Sequence, residues 1–294
     1  MTSALAAHLG AALDRSLEPA VAEFARELGT AAGARAVLFY GSNLRTGSLD
    51  GVLDFYVLLP GPVESGIWPR VSYHERDGLR AKVATMTLAT FVEAARGDLR
   101  DTTIWARFVQ PSALAWSRDA EQGQAVAAAV AEAAKTAARF AVALGPEAGT
   151  PADYWRALFR ATYRAEFRVE RPGRENDILG VNRDHFAGLL PLSLGADGIA
   201  FERDGDVLRP QLSAAQRDAL RREWRRKARL GKPYNMLRLL RASTTFEGAA
   251  RYAAWKIERH TGVPVALTPW KERHPILAAP GVLWRVWRAR RAAS

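Results

Sequence analysis

Two short stretches of this sequence hold residue types that can do chemistry together. Phe39 to Leu59 reads FYGSNLRTGSLDGVLDFYVLL. An apolar run ending at Tyr40 meets Gly41-Ser42, a polar Gly-containing loop follows, and a second apolar run carries one carboxylate, Asp54. Backbone N–H groups at a Gly-Ser turn that enters a helix can cradle the oxygens of a polyphosphate. A carboxylate on the neighbouring strand can hold the divalent cation that bridges those phosphates. Lys82, in LRAKVATM, either reaches a phosphate or snorkels from a strand end into water. Arg107 and Arg168 carry the planar fork that grips phosphate oxygens two at a time. Glu166 suits a second metal ligand, a general base, or the ion-pair partner of a neighbouring arginine. Asp50 precedes Gly51, where turn chemistry alone accounts for an acid.

Holding these groups in place requires strands and helices in a particular order. Apolar residues at three- and four-residue spacing (Leu5, Leu9, Leu13, Leu17, Val21, Phe24, Leu28) predict one helix over 2–28, ending at Gly29. Strands are expected at 35–40 and 52–59, a pair at 71–73 and 79–85, and a last one at 114–117. Helices are expected at 87–96 and 102–108. Beyond Asp119 the pattern is helical, at 120–144, 151–170, 213–229, 233–242, 246–260 and 280–291. A hairpin over 198–208, turning at Asp204-Gly205, interrupts it. Strand, Gly-Ser turn, loop and acid-bearing strand is the layout of a nucleotidyltransferase core. The expectation is an α+β fold: a nucleotidyltransferase-like mixed sheet with flanking helices over 1–118, then a mostly helical second domain over 119–294. The usual core has a second acid two residues after the first, on the same strand face; here that position is Tyr56.

Composition narrows the classes. The 294 residues fit two domains or one large one, and 48% hydrophobic with 25% charged is ordinary for a globular chain. Cysteine is absent, which excludes disulfides and thiolate metal sites and fits a reducing cytosol. The N-terminal segment has no basic run before its apolar residues and carries Asp14, so no signal peptide is expected. No run of 18 apolar residues predicts a spanning helix. The histidines His74, His185, His260 and His274 lack the spacing of a zinc site.

The net charge of +11 is concentrated. Arg221 to Arg229 holds six cations and one acid, and Lys271 to Ser294 holds six cations and one acid. Such surfaces meet nucleic acid, anionic lipid or phosphorylated substrates. The first run has no aromatic beyond Trp224 and matches no nucleic-acid motif, so nucleic acid is not the expected partner. In the C-terminal PGVLWRVWRARRAAS, Leu283, Trp284, Val286 and Trp287 alternate with arginines. This predicts either an interfacial helix on a membrane surface or a terminal helix packed on the body.

Four windows in order resemble the mitochondrial-type CTP:phosphatidate cytidylyltransferases, a peripheral-membrane family that makes CDP-diacylglycerol. Tyr40-Gly41-Ser42 and Leu53-Asp54-Phe55-Tyr56 match its core, including a residue other than an acid at Tyr56, and Trp68 fits its layout. Ala106 to Pro111 matches a GRLxKP-like stretch, with Arg107 kept and Gln110 in place of lysine. Tyr163 to Arg168 matches its Y-x-G-D-F-R motif, and Arg174 falls near a family basic position. The likeness covers roughly residues 38–180. The loop before Asp54 is shorter than the family's, and the last hundred residues match poorly.

The resemblance implies transfer of CMP from CTP to an anionic lipid phosphate with Mg²⁺, giving a CDP-lipid and pyrophosphate. It implies catalytic roles for Asp54, Lys82 and Glu166, with Asp54 on the metal. Tyr40, Gly41, Ser42 and Arg107 would bind nucleotide, and Arg168 and Arg174 the substrate phosphate. The expected location is cytoplasmic and peripherally membrane-associated, in a bacterium. The alternatives are a catalytically inactive nucleotide-binding module and a nucleotidyltransferase with a non-lipid acceptor.

Overall fold

A computed structural model describes residues 4–66, 69–165, 173–245, 250, 254, 257–258, 263–273, 277–278, 280–282, 284–285 and 288; side chains are not described at 174, 232, 234–245 and 273. The fold is α+β. Five strands, β1 (Ala36–Tyr40), β2 (Leu53–Leu59), β3 (Arg70–Arg76), β4 (Leu79–Thr87) and β5 (Ser112–Ser117), form a mixed sheet in the order β3-β4-β2-β1-β5. β2 and β4 run parallel, and the other neighbours are antiparallel.

Strand alternation sends side chains to two different covers. Val37, Phe39, Leu53, Phe55, Val57 and Val83 point to the face packed by Val21, Phe24 and Leu28. Leu38, Tyr56, Leu58, Ala84 and Met86 point to the other face, toward a helical layer. β2 is covered on both sides, which is why it reads as an almost continuous apolar run.

The helical layer is organised by α6 (Ala120–Leu144), which follows α1 (Ala4–Leu13), α2 (Pro19–Ala31), α3 (Ser42–Thr46), α4 (Leu88–Arg96) and α5 (Thr103–Phe108). The Asp119 side chain caps it by accepting from the Gln122 N–H at 2.8 Å. Ala129, Ala133, Ala137 and Ala141 recur every four residues along a buried ridge, and their small side chains let neighbours approach closely. Around α6 pack α1, α4, α5, α7 (Pro151–Ala165) and α9 (Arg183–Ala196), with α8 (Arg174–Val181) against α7. A single apolar cluster therefore runs from Leu5 through α6 to Trp224, across the boundary expected at residue 118. A two-stranded hairpin of β6 (Phe201–Asp204) and β7 (Val207–Pro210), a long α10 (Ala214–Thr245) and a short α11 (Pro269–Arg273) complete the described elements.

Several elements depart from the periodicity. The helix expected over 2–28 is two helices. Leu5, Leu9 and Leu13 belong to the cluster on one face of the sheet, and Val21, Phe24 and Leu28 to the cluster on the other. One continuous stripe thus serves two cores, and the chain breaks between them, with Pro19 opening α2. The helices expected at 213–229 and 233–242 are one, running through Pro233. The hairpin turns one residue later than expected, with Gly205 in the left-handed region. α8 and α9 were not anticipated, because Gly180, Gly188, Gly195 and Pro191 obscure their helical period. The helix expected at 246–260 lies mostly outside the described residues, as does half of 280–291.

Gly97 ends α4 at φ +83°, and a Cβ there would sit 2.9 Å from the Thr136 methyl on α6. Gly97→Ala should destabilise the protein by about 1–2 kcal/mol, the usual cost of a left-handed residue with a Cβ, plus the steric term. Chemical denaturation should show a smaller loss on a Thr136→Ser background, which removes that methyl and keeps the hydroxyl that accepts from Arg139.

Candidate functional site

The site is built on one row across the sheet. Tyr40 pairs with Asp54 between β1 and β2, and Asp54 pairs with Lys82 between β2 and β4. Paired residues project to the same face, so phenol, carboxylate and ammonium stand side by side where β1 ends. The chain then turns at Gly41, whose φ of 94° and ψ of −160° suit glycine alone. A Cβ on Gly41 would also lie 2.9 Å from Asp54 Oδ2, so the bare backbone and the carboxylate are in contact. Ser42 opens α3, a helix of five residues. Asn43, buried beneath it, donates from Nδ2 to the carbonyls of Ser48 (2.9 Å) and Asp50 (2.8 Å). That amide folds the loop back and fixes where β2 begins. The Asp50 side chain is exposed, so its carbonyl, and not its carboxylate, has a visible role.

Arg107 comes from α5, above the row. Its Nη1 donates to the hydroxyls of Tyr40 (3.5 Å) and Tyr56 (3.4 Å), and its guanidinium lies 5.2 Å and 5.8 Å from their ring centroids. Tyr56 is fully buried and packs edge-on against Phe108 at 5.2 Å. The residue at the position of a second acid is therefore a prop for the arginine. Its position in this cluster could be read from the sequence only with the α5 contact in hand.

These groups line one cavity of about 260 Å³: Tyr40, Gly41, Ser42, Asp54, Lys82 and Arg107, with Arg45 from α3 and Gln110-Pro111 after α5. Tyr163 of α7, Ile178 of α8 and Asn182 form the opposing wall. The sheet and the helical layer thus both contribute to it. Six of the residues singled out in the sequence come together here. Glu166, Arg168 and Trp68 lie outside the described residues, and Arg174 starts α8 with its side chain not described. Arg45, Asn43 and Asn182 were missed. Arg45 had a signal, since it stands three residues after Ser42 and so one helical turn along from it.

Three cations and one carboxylate among the described lining residues give the cavity wall a positive balance of charge. Burial pushes the Asp54 carboxyl above the usual carboxylate range, opposed by the nearby charges of Lys82 and Arg107. Among the described residues, no group of three or more His, Asp or Glu side chains gathers as a metal cage. One carboxylate beside one serine hydroxyl fits a Mg²⁺ that keeps water and phosphate oxygens as its other ligands. It does not fit a cation held by protein alone.

His185, beside this wall, was also missed as a positioning group. Its Nε2–H donates to the Val109 carbonyl at 3.0 Å, tying the start of α9 to the turn between Arg107 and Gln110. His8 stacks on it at 5.4 Å between centroids and donates to its backbone carbonyl. Comparison with protein-family models and with curated proteins finds no match for this chain.

Two pH experiments follow from these environments. Between the ordinary value of 3.8 and its raised folded value, Asp54 binds more proton in the folded than in the unfolded state, so its ionisation lowers stability as pH rises. Asp54→Asn should therefore melt higher than the parent at pH 7, with the difference gone below pH 3.8. A lower melting temperature at pH 7 would show the carboxylate to be structural. His185 behaves oppositely: burial pulls it from 6.5 down to about 4, so its contribution is complete above 6.5 and is lost toward 4. That loss, at most roughly 3 kcal/mol, should be absent in His185→Gln, which keeps a donor for Val109 but does not titrate.

Proposed function

We propose that the cavity binds a nucleoside triphosphate and transfers its nucleotidyl group to a phosphate-bearing acceptor. CTP and an anionic lipid phosphate are the pair implied by the likeness over residues 38–180. The observation that carries this is the Tyr40–Asp54–Lys82 row closing with the Gly41 backbone and Arg107 on one cavity. An acceptor phosphate oxygen attacks the α-phosphorus, the bond to the β-phosphate oxygen breaks, and pyrophosphate leaves. Such reactions ask a protein chiefly to position groups and neutralise charge. Lys82, Arg107 and Arg45 are suited to that, and the Gly41-Ser42 backbone can accept the phosphates at close range because no Cβ intervenes. Mg²⁺, held by Asp54 and arriving with the triphosphate, would supply further neutralisation of the β- and γ-phosphates. Glu166, Arg168 and Arg174 retain the roles that the resemblance implies.

The lone described carboxylate also bears on the acceptor. An alcohol must lose a proton as it attacks and needs a general base. A phosphate monoester, with its second pKa near 6, is already an oxyanion at neutral pH. The described lining offers Asp54 and no second acid to serve as that base, so on those residues a phosphate acceptor is the better suited. A second reading, on the same described residues, is a module that binds nucleotide without turnover. Among the described residues no helix is long and apolar enough to cross a membrane. Trp284 is exposed and stacks under Arg288 at 4.7 Å, which suits the surface attachment expected of the C-terminal segment.

CTP with Mg²⁺ should raise the melting temperature, and Asp54→Asn should lose the metal-dependent part of that rise. Arg107→Ala should weaken CTP binding by about tenfold to a hundredfold, the scale of a lost charge-assisted contact. Labelled CTP with phosphatidate vesicles should yield CDP-lipid and pyrophosphate. Binding without pyrophosphate release would establish the inactive module instead.

A further inference from the structure

The basic run on α10 is not one feature, because the helix sorts its cations by face. Those turned inward are used up by the fold. Arg217 Nη1 donates to the Val142 carbonyl (2.7 Å) and Arg221 Nε to the Ala143 carbonyl (2.8 Å), both in the last turn of α6. Lys227 is buried, and its Nζ donates to the carbonyls of Gly97 (2.5 Å) and Leu99 (2.8 Å), just past the end of α4. Each places a cation where a helix C-terminus exposes unpaired carbonyls. Between them Trp224 anchors the helix against Trp105 and Phe140, at 6.3 and 5.8 Å.

The remaining four, Arg222, Arg225, Arg226 and Arg229, lie at i, i+3, i+4 and i+7 and are all exposed. They make no hydrogen bond or ion pair with any described residue. The stripe extends about 10 Å along the helix. Like charges at these spacings destabilise a helix, and Asp218 and Glu223, at i−4 from Arg222 and i−3 from Arg226, answer only part of that charge. The excess positive charge of the stripe suits an anionic partner. Leu230, at the end of the stripe, is 40% exposed, so the same surface offers an apolar edge.

We propose that this outward face of α10 docks on an anionic lipid bilayer. Four cations with an adjoining exposed leucine is the combination that a headgroup layer rewards. Nucleic acid fits less well: between Arg222 and Leu230 the face carries no exposed aromatic to stack on bases and no amide or hydroxyl to read them, Trp224 being buried. The opposite side of the helix packs on α7: Gly231 is pressed against the backbone of Ala165, where a Cβ would lie 2.6 Å from its carbonyl oxygen, which leaves the stripe turned away from the body. Membrane docking deepens the lipid-phosphate reading, but it stands on the sorting of cations and is tested apart from it.

Vesicles of phosphatidylcholine with and without phosphatidylglycerol serve as the probe, read by co-sedimentation of the full chain. Arg225→Glu/Arg229→Glu should bind phosphatidylglycerol vesicles about thirty-fold more weakly than the parent, from the per-cation contribution at such a surface. Arg203→Glu/Arg209→Glu changes charge equally on the exposed hairpin and should bind nearly as the parent does. Equal losses in the two variants, or none in either, would overturn the proposal. So would a stripe variant that keeps vesicle binding but loses binding to single-stranded RNA or duplex DNA, which would assign the face to nucleic acid. Should the Glu pair fail to fold, Arg225→Gln/Arg229→Gln relieves the like-charge repulsion and gives the same reading. CTP-induced thermal shifts on the same proteins report the cavity separately, so loss of nucleotide binding and loss of docking are told apart.

Discussion

The contact between the Gly41 backbone and the Asp54 carboxylate is the constraint on which the site depends. Burial works against the charge on Asp54, and two nearby cations work for it. A residue larger than glycine at the turn would displace the carboxylate and could not adopt the turn's dihedrals. Both features are costs that a fold selected for stability alone would have discarded. Asn43, which is spent entirely on the loop between β1 and β2, serves the same end by fixing the separation of the turn from the acid.

The second layer of support is aromatic. Tyr40 on β1 and Tyr56 on the adjacent β2 stand side by side, with ring centroids at 5.6 Å. Together they seat Arg107 by hydroxyl and ring at once. α6 then fixes α5 and α7 relative to the sheet. The helices that follow residue 118 are in this sense part of the site's frame: Tyr163, Ile178 and Asn182 close the cavity from that side.

The strands of the sheet were legible because β2 and β1 are short apolar runs bounded by turn residues, and the site was legible because glycine, serine and a lone strand carboxylate are conspicuous there. What was not legible has physical reasons. The stripe from Leu5 to Leu28 keeps helical period throughout, yet its halves feed cores on opposite faces of the sheet, and periodicity carries no information about which face. Tyr56 looks like a missing acid until Arg107, 51 residues away, is seen to lie on it. His185 depends on Val109 and His8, partners 76 and 177 residues distant. The run at Arg221 to Arg229 reads as one patch, and only helix packing separates the cations that cap α4 and α6 from those that face water.

The central claim is that a triphosphate and its metal occupy the gap between the Gly41 turn and Asp54. Diffraction from crystals grown with Mn²⁺ and a non-hydrolysable CTP analogue tests it most directly. The account predicts an anomalous peak for manganese beside the Asp54 carboxylate, with phosphate oxygens against the Gly41-Ser42 backbone, Lys82 and Arg107. Nucleotide bound elsewhere, or manganese held without it by other acids while this cavity stays empty, would contradict the account.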